Sequence, residues 1–199
     1  MRFNPDSLRG HVFHPVIVLP SEVEVYDFTR GYDPSRLRAD VYGIGRYDEK
    51  RPGMYTAALF ANERDVHMGV DLAAPVGTAV HAFCDGWIEC LGYNPAPGDY
   101  GWTIVTGHRI GEAELYALHG HLAARSADGR KAGDTITRGE VIAWVGDRHE
   151  NGGWNPHLHF QLSVTRPEVP DLPGVVCEAD RERARELYPD PRIVLGPIY

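Results

Sequence analysis

The sequence predicts an all-β domain, an antiparallel sheet or β-sandwich with an open groove, and one short helix near the C-terminus. Three observations carry this. The apolar runs are short, most of them four to eight residues, as strands are and helices are not. Glycine (22) and proline (15) punctuate the chain between those runs, which is the pattern of closely spaced strands and turns. The run His157-Leu158-His159-Phe160-Gln161-Leu162-Ser163-Val164 alternates polar and apolar residues, the signature of a half-buried strand.

Taken in order, the strand-like runs are 16–19, 23–28, 78–83, 87–91, 103–107, 114–119, 141–145 and 157–164. The stretches Ala74-Pro75-Val76-Gly77-Thr78-Ala79-Val80 and Lys131-Ala132-Gly133-Asp134-Thr135-Ile136 read as two versions of one turn-strand unit. Such pairs occur in carrier domains of lipoyl type. The turn after Phe83 carries Asp85-Gly86 and no lysine, so a swinging-arm role has no attachment point. The expected helix is Glu178-Ala179-Asp180-Arg181-Glu182-Arg183-Ala184-Arg185-Glu186-Leu187, closed by Tyr188-Pro189. The organisation expected is an extension over 1–60 packed on the core, a central domain over 61–166 and a tail with the helix over 167–199. The extension, with its five tyrosines (Tyr26, Tyr32, Tyr42, Tyr47 and Tyr55), either covers a sheet edge or walls the groove.

The most informative residues are histidines and one aspartate. His67-x-x-x-Asp71 and His157-x-His159 lie far apart in sequence, yet together they form a nearly complete metal site. Zinc takes imidazole nitrogen and carboxylate oxygen, and a catalytic zinc keeps three protein ligands and one open position. His67, Asp71 and one histidine of the second pair supply three. Side chains at i and i+2 of a strand share a face, so His157 and His159 project together while Leu158, Phe160 and Leu162 face away. Gly69, between His67 and Asp71, permits a tight turn that brings both side chains to one point. His119-Gly120-His121 ends another strand-like run. His149-Glu150 resembles the start of the helical H-E-x-x-H motif, but position 153 is Gly and Asn151-Gly152-Gly153-Trp154-Asn155-Pro156 cannot be a helix interior. A histidine, not a glutamate, is therefore the expected base.

The stretch from His67-Met68-Gly69-Val70-Asp71-Leu72-Ala73-Ala74-Pro75 to Pro156-His157-Leu158-His159-Phe160 resembles the M23 metallopeptidases of lysostaphin and LytM type. Gly77-Thr78-Ala79-Val80, Asp85-Gly86, Leu118-His119-Gly120-His121-Leu122, Gly133-Asp134-Thr135 and Gly139-Glu140-Val141-Ile142 resemble further landmarks in the family's order. The resemblance implies that His67, Asp71 and His159 bind Zn2+, and that His121 and His157 act on the water and the transition state. It implies a zinc-dependent metalloendopeptidase that cuts a peptide or peptidoglycan-derived substrate. Two other readings share the scaffold: a zinc hydrolase of a cytoplasmic, non-peptidoglycan substrate, and a non-catalytic LytM-like binding module. His119 is surplus to the family pattern. His81, His108 and His149 are expected to be structural or loop residues, with a place on the groove rim the alternative for His108, which ends a strand beside Arg109. Trp154 and Asn155, directly before the His157 strand, are expected in the groove wall.

Composition bounds the partners. Lys+Arg 20 against Asp+Glu 28 gives −8, which argues against nucleic acid, since phosphate binding needs a basic patch. No apolar run approaches the ~18 residues of a membrane span, so no membrane partner is expected. Cys84, Cys90 and Cys177 are odd in number and form no C-x-x-C, which suits reduced thiols. The start Met1-Arg2-Phe3-Asn4-Pro5-Asp6 is polar and Val16-Ile17-Val18-Leu19 is short for an h-region, so a cytoplasmic protein is expected, with periplasmic or extracellular as the alternative.

Overall fold

A computed structural model describes Leu8, residues 10–61 and residues 63–199; the polar start, Met1 to Asp6, lies outside the described residues. The strands in chain order are β1 (Glu24–Val25), β2 (Gly43–Gly45), β3 (Glu49–Lys50), β4 (Val66–His67), β5 (Val70–Ala73), β6 (Ala79–His81) and β7 (Gly86–Asn94). They continue with β8 (Gly101–Ile110), β9 (Ala113–Leu122), β10 (Thr135–Ile136), β11 (Val141–Trp144), β12 (His157–Ser163) and β13 (Val175–Val176). Eight strands form one sheet in the order β1-β2-β5-β12-β9-β8-β7-β10, antiparallel except for the β1–β2 edge. β11 pairs with β6, and β3, β4 and β13 form a third small sheet.

The alternating run at 157–164 forms β12, at the centre of the large sheet. Its Leu158, Phe160 and Leu162 are fully buried in the main apolar cluster with Val70, Leu72, Ile104 and Val145. Burial of each such side chain contributes about 1.5–3 kcal/mol. The opposite face carries His157, His159, Gln161 and Ser163.

The extension joins the body of the protein in two ways. β2 pairs with β5 and so lengthens the large sheet past the family-like stretch. Residues 51–60 wall the cleft described below. Two expected strands contract. The run 16–19 forms no strand, although the Val16 carbonyl accepts from the His81 amide and the His14 amide donates to Phe83. Pro15 and Pro20 flank that run and remove two ladder donors. The run 23–28 retains only Glu24–Val25. The C-terminal helix begins as a 3-10 turn over Glu178–Asp180 and continues as α1 (Arg181–Leu187). A further helical turn, α2 (Arg192–Leu195), buries Val194 in the core. Gly77 and Gly133, at matched places in the two turn-strand units, both adopt left-handed backbone with φ of 81° and 89°. All three cysteines are free thiols. Among the described residues no helix is long and apolar enough to cross a membrane.

Candidate active site

Strand register assembles the site. β12 and β5 pair with His159 directly opposite Asp71, so both side chains leave the same face of the sheet. His67 enters from β4, one short connection before β5. The three residues converge: His67 Nε2 and His159 Nδ1 each lie 3.1 Å from Asp71 Oδ1, and they lie 3.0 Å from one another.

Hydrogen bonds fix which ring atoms face inward. His67 Nδ1–H donates to the Arg46 carbonyl at 2.9 Å, and His159 Nε2–H donates to Gln161 Oε1 at 3.0 Å. In the neutral imidazoles, His67 Nε2 and His159 Nδ1 are then acceptors only. Burial lowers the His67 pKa to about 4, which keeps it neutral. Burial alone would raise the Asp71 carboxyl, but the Arg51 guanidinium beside it holds it well below the usual carboxylate range. Two lone pairs and a carboxylate oxygen therefore face a common point with no donor between them. A cation resolves that arrangement. Ligand atoms around a tetrahedral zinc with bonds of about 2.0–2.1 Å stand about 3.3 Å apart, close to the separations seen here. Among the described residues this is the one group of three or more histidine, cysteine or acidic side chains with such convergence.

His157 and His121 stand beside this group. His157 Nε2 lies 3.6 Å from Asp71 Oδ1, and the two rings are 4.3 Å apart between centroids. Each is anchored through Nδ1–H to a carbonyl, His157 to Asn155 at 2.6 Å and His121 to Asn151 at 2.8 Å. Both Nε2 atoms are left as acceptors. Burial pushes both pKa values down, that of His121 well down, helped by the adjacent His157. Neutral imidazoles with a free Nε2 are suited to taking up a proton.

The sequence-derived residues His67, Asp71, His121, His157 and His159 thus all line one cleft of about 190 Å3. Trp154 lines it as well, its Nε1–H donating to the Gly98 carbonyl and its ring packing edge-on to Tyr55. Asn155 contributes through its backbone, as the His157 anchor. His119 does not join them: it is wholly buried in the core, its ring against Phe160. His108 is buried between Thr106 and Asp85, and His81 packs against His14.

Gly69 has a different reason than the expected tight turn. Its φ is not left-handed; a Cβ there would lie 2.5 Å from His159 Cε1. Glycine is required by the close approach of the His159 ring.

Sequence reasoning missed Arg51, Tyr100, Gln161 and the loop 171–175, whereas Tyr55 lines the cleft, as one of the two readings of the extension allowed. Tyr100 packs beside His121 and His159 and donates to the Leu172 carbonyl. Gln161 follows His159 by two on a strand, so the alternation that paired the histidines pointed to it as well. The others carry no local signal.

A model described as Peptidase family M23 matches residues 65–170. The DD-carboxypeptidase/endopeptidase Mpg of Neisseria meningitidis (strain MC58) is 40% identical over 104 residues, covering 52% of this chain and 21% of its own. The peptidoglycan DD-endopeptidase ShyC of Vibrio cholerae is 32% identical over 111 residues, covering 54% and 23%. Lysostaphin of Staphylococcus simulans is 33% identical over 103 residues, covering 50% and 18%. The match spans only about a fifth of the length of these relatives.

Proposed function

Because the chain belongs to peptidase family M23, we propose that it is a zinc metalloendopeptidase that hydrolyses an amide bond in a peptide of peptidoglycan type. The observation that carries this is the convergence of His67 Nε2, Asp71 Oδ1 and His159 Nδ1 to within 3.1 Å with no donor among them. In this reading those three atoms hold zinc. Zinc bound there lowers the pKa of a water molecule and polarises the scissile carbonyl.

The protein's own groups supply the rest. His157 Nε2, adjacent to Asp71, accepts the proton of the attacking water, and the Asp71 carboxylate favours the imidazolium that results. His121, with its ring against His157, is held by Asn151 so that Nε2 faces the cleft. The proton held on His157 Nε2 passes to the leaving amine as the C–N bond breaks, and His121 Nε2 accepts a hydrogen bond from the water or the amine N–H. Tyr55, Phe60, Trp154 and the loop 171–175, which all line the cleft, exclude water and hold an extended peptide across the histidines.

The relatives' names supply the substrate classes: a DD bond in Mpg and ShyC, and a glycyl-glycine bond in the endopeptidase ALE-1 of Staphylococcus capitis. The test is metal analysis of the purified chain followed by turnover of a panel holding D-Ala-linked muropeptides, pentaglycine and ordinary L-peptides. We expect about one zinc per chain, and cleavage of one of the first two that chelation abolishes and zinc restores. A zinc-free protein, or cleavage unaffected by chelation, would reject the reading.

A further inference from the structure

Arg51 is a fully buried guanidinium beside the metal-site group, and nothing in the M23-like stretch of residues 65–170 contains it. Its Nη1 donates to Asp71 Oδ2 at 2.7 Å and to the Tyr55 hydroxyl at 3.0 Å. Its Nε donates to Glu49 Oε2 at 3.0 Å, and its Nη2 to the Arg46 carbonyl at 3.1 Å. That same Arg46 carbonyl accepts from His67 Nδ1. One planar side chain and the peptide next to it thus touch two of the three candidate ligands from behind.

The space for this contact is built in. Gly45 on β2 pairs with Asp71 on β5, and a Cβ at Gly45 would lie 2.8 Å from Arg51 Nη2 and 3.0 Å from Asp71 Oδ2. The Phe28 ring lies 5.0 Å from the guanidinium carbon. Residues 28, 45, 46, 49 and 51 all precede the M23-like stretch.

We propose that Arg51 is a positioning residue for the metal centre. By occupying Oδ2 it leaves Oδ1 as the only Asp71 oxygen facing His67 and His159, so that the carboxylate binds through one atom and a coordination position stays open for water. The extension before residue 65 is then a working part of the centre. This rests on the metal reading above. The alternative is that Arg51 merely neutralises Glu49, a buried ion pair with no bearing on the metal. Two variants separate these. Arg51→Lys keeps the charge, but a single ammonium cannot span Asp71, Glu49, Tyr55 and the Arg46 carbonyl. Glu49→Gln weakens its ion pairs with both Arg51 and Arg46 and leaves the Arg51–Asp71 contact.

The experiment measures zinc affinity, the visible spectrum of the cobalt-substituted protein and the thermal midpoint, for wild type and both variants as full chains. For Arg51→Lys we expect zinc binding weaker by about 10- to 100-fold, the scale for a lost partner behind a ligand. We also expect a weaker cobalt band, as Asp71 turns to bind through both oxygens. For Glu49→Gln we expect a lower midpoint with wild-type affinity and spectrum. An Arg51→Lys protein that binds zinc and cobalt as wild type does, or a Glu49→Gln protein equally impaired, overturns the proposal. Should Arg51→Lys fail to fold, X-ray absorption on the zinc-loaded wild type decides: one Asp71 oxygen in the shell supports the assignment, two overturn it. A wild type that takes up no zinc sinks the metal reading itself. A zinc-binding wild type matched by its Arg51→Lys variant removes only the role of Arg51.

Discussion

His119 and His121 stand two residues apart on β9, yet they occupy opposite sides of the sheet. His119 pairs with Phe160 across the β9–β12 ladder and packs into the core. Strict alternation would send His121 the same way. It does not, because His121 has left-handed backbone, φ 64°, and its ring lies against His157 in the cleft. A non-glycine residue in that region costs about 1–3 kcal/mol and persists where surrounding contacts enforce it. Here the His121 amide donates to the Tyr100 carbonyl and its carbonyl accepts from the Gly146 amide. The strained position is the one that delivers an imidazole to the site.

That geometry separates the roles of the histidines. His121→Ala and His157→Ala remove groups that point their Nε2 atoms into the cleft but do not belong to the three-atom cluster. We expect each variant to retain zinc and to lose turnover by about 10²-fold or more, as when an acid–base group is deleted. Metal content measured beside kcat checks this. A His121→Ala protein devoid of metal would put His121 among the ligands.

Removal of the metal should be felt in stability. Without a cation, His67 Nε2, His159 Nδ1 and Asp71 Oδ1 present only acceptors to one another. Ligand at a thousandfold excess over its Kd stabilises by about 4 kcal/mol. At about 2–4 °C per kcal/mol for a chain of this size, we expect chelation to lower the thermal midpoint by on the order of 10 °C. The His159→Ala variant should start from the lower value and not respond to chelator. Equal midpoints with and without chelator in the wild type would contradict this.

How much of this was legible in the sequence depends on the range over which each residue acts. His157 and His159 were readable because a strand repeats every two residues, and the alternation of 157–164 is local. Asp71 and His67 were readable as ligand types at short spacing. Their meeting with His159 depends on the β5–β12 register, which spans about ninety residues and which only the family resemblance supplied. His121 sits against the alternation, so periodicity alone would have placed it with His119 in the core. Arg51 reads as one more residue in the charged run Asp48-Glu49-Lys50-Arg51. Nothing local distinguishes it from Lys50, which is exposed, while Arg51 is wholly buried by Phe28, Gly45 and Tyr55 from distant positions. The strands of 16–19 and 23–28 were over-read because apolar alternation says nothing of whether a partner strand is within reach.

Two core histidines set an acid limit. Burial lowers the pKa of His108 to about 4 and that of His119 to about 3. In the unfolded chain both titrate near 6.5. Between about pH 4 and 6.5 the unfolded state binds more protons than the folded one, so stability rises with pH across that window and is lost as pH falls through it. For His108 the loss reaches about 3 kcal/mol at the acid end. His108→Asn, which keeps a donor for the Asp85 carbonyl, should flatten the slope of stability against pH between 6.5 and 4. Denaturant titrations at several pH values measure it, and an unchanged slope would remove His108 from the account.

The sharpest test of the site's packing is Gly69→Ala. The substitution changes no ligand, no charge and no hydrogen-bonding side chain. It places a methyl carbon 2.5 Å from His159 Cε1 and 2.6 Å from its Nε2, well inside van der Waals contact. The ring cannot retreat freely, since its Nε2 is tied to Gln161 and it packs against Tyr100. The backbone of residue 69 is also constrained, because the adjacent Met68 amide donates to the Gly174 carbonyl. The strain therefore falls on the position of His159 Nδ1, the atom that faces His67 and Asp71. We expect Gly69→Ala to fold, since its φ lies outside the left-handed region, but to bind zinc much more weakly, approaching the loss expected for His159→Ala. Zinc affinity and circular dichroism measured on the same preparation decide it. A folded Gly69→Ala protein with wild-type zinc affinity would show that His159 does not hold the place in the metal cluster assigned to it.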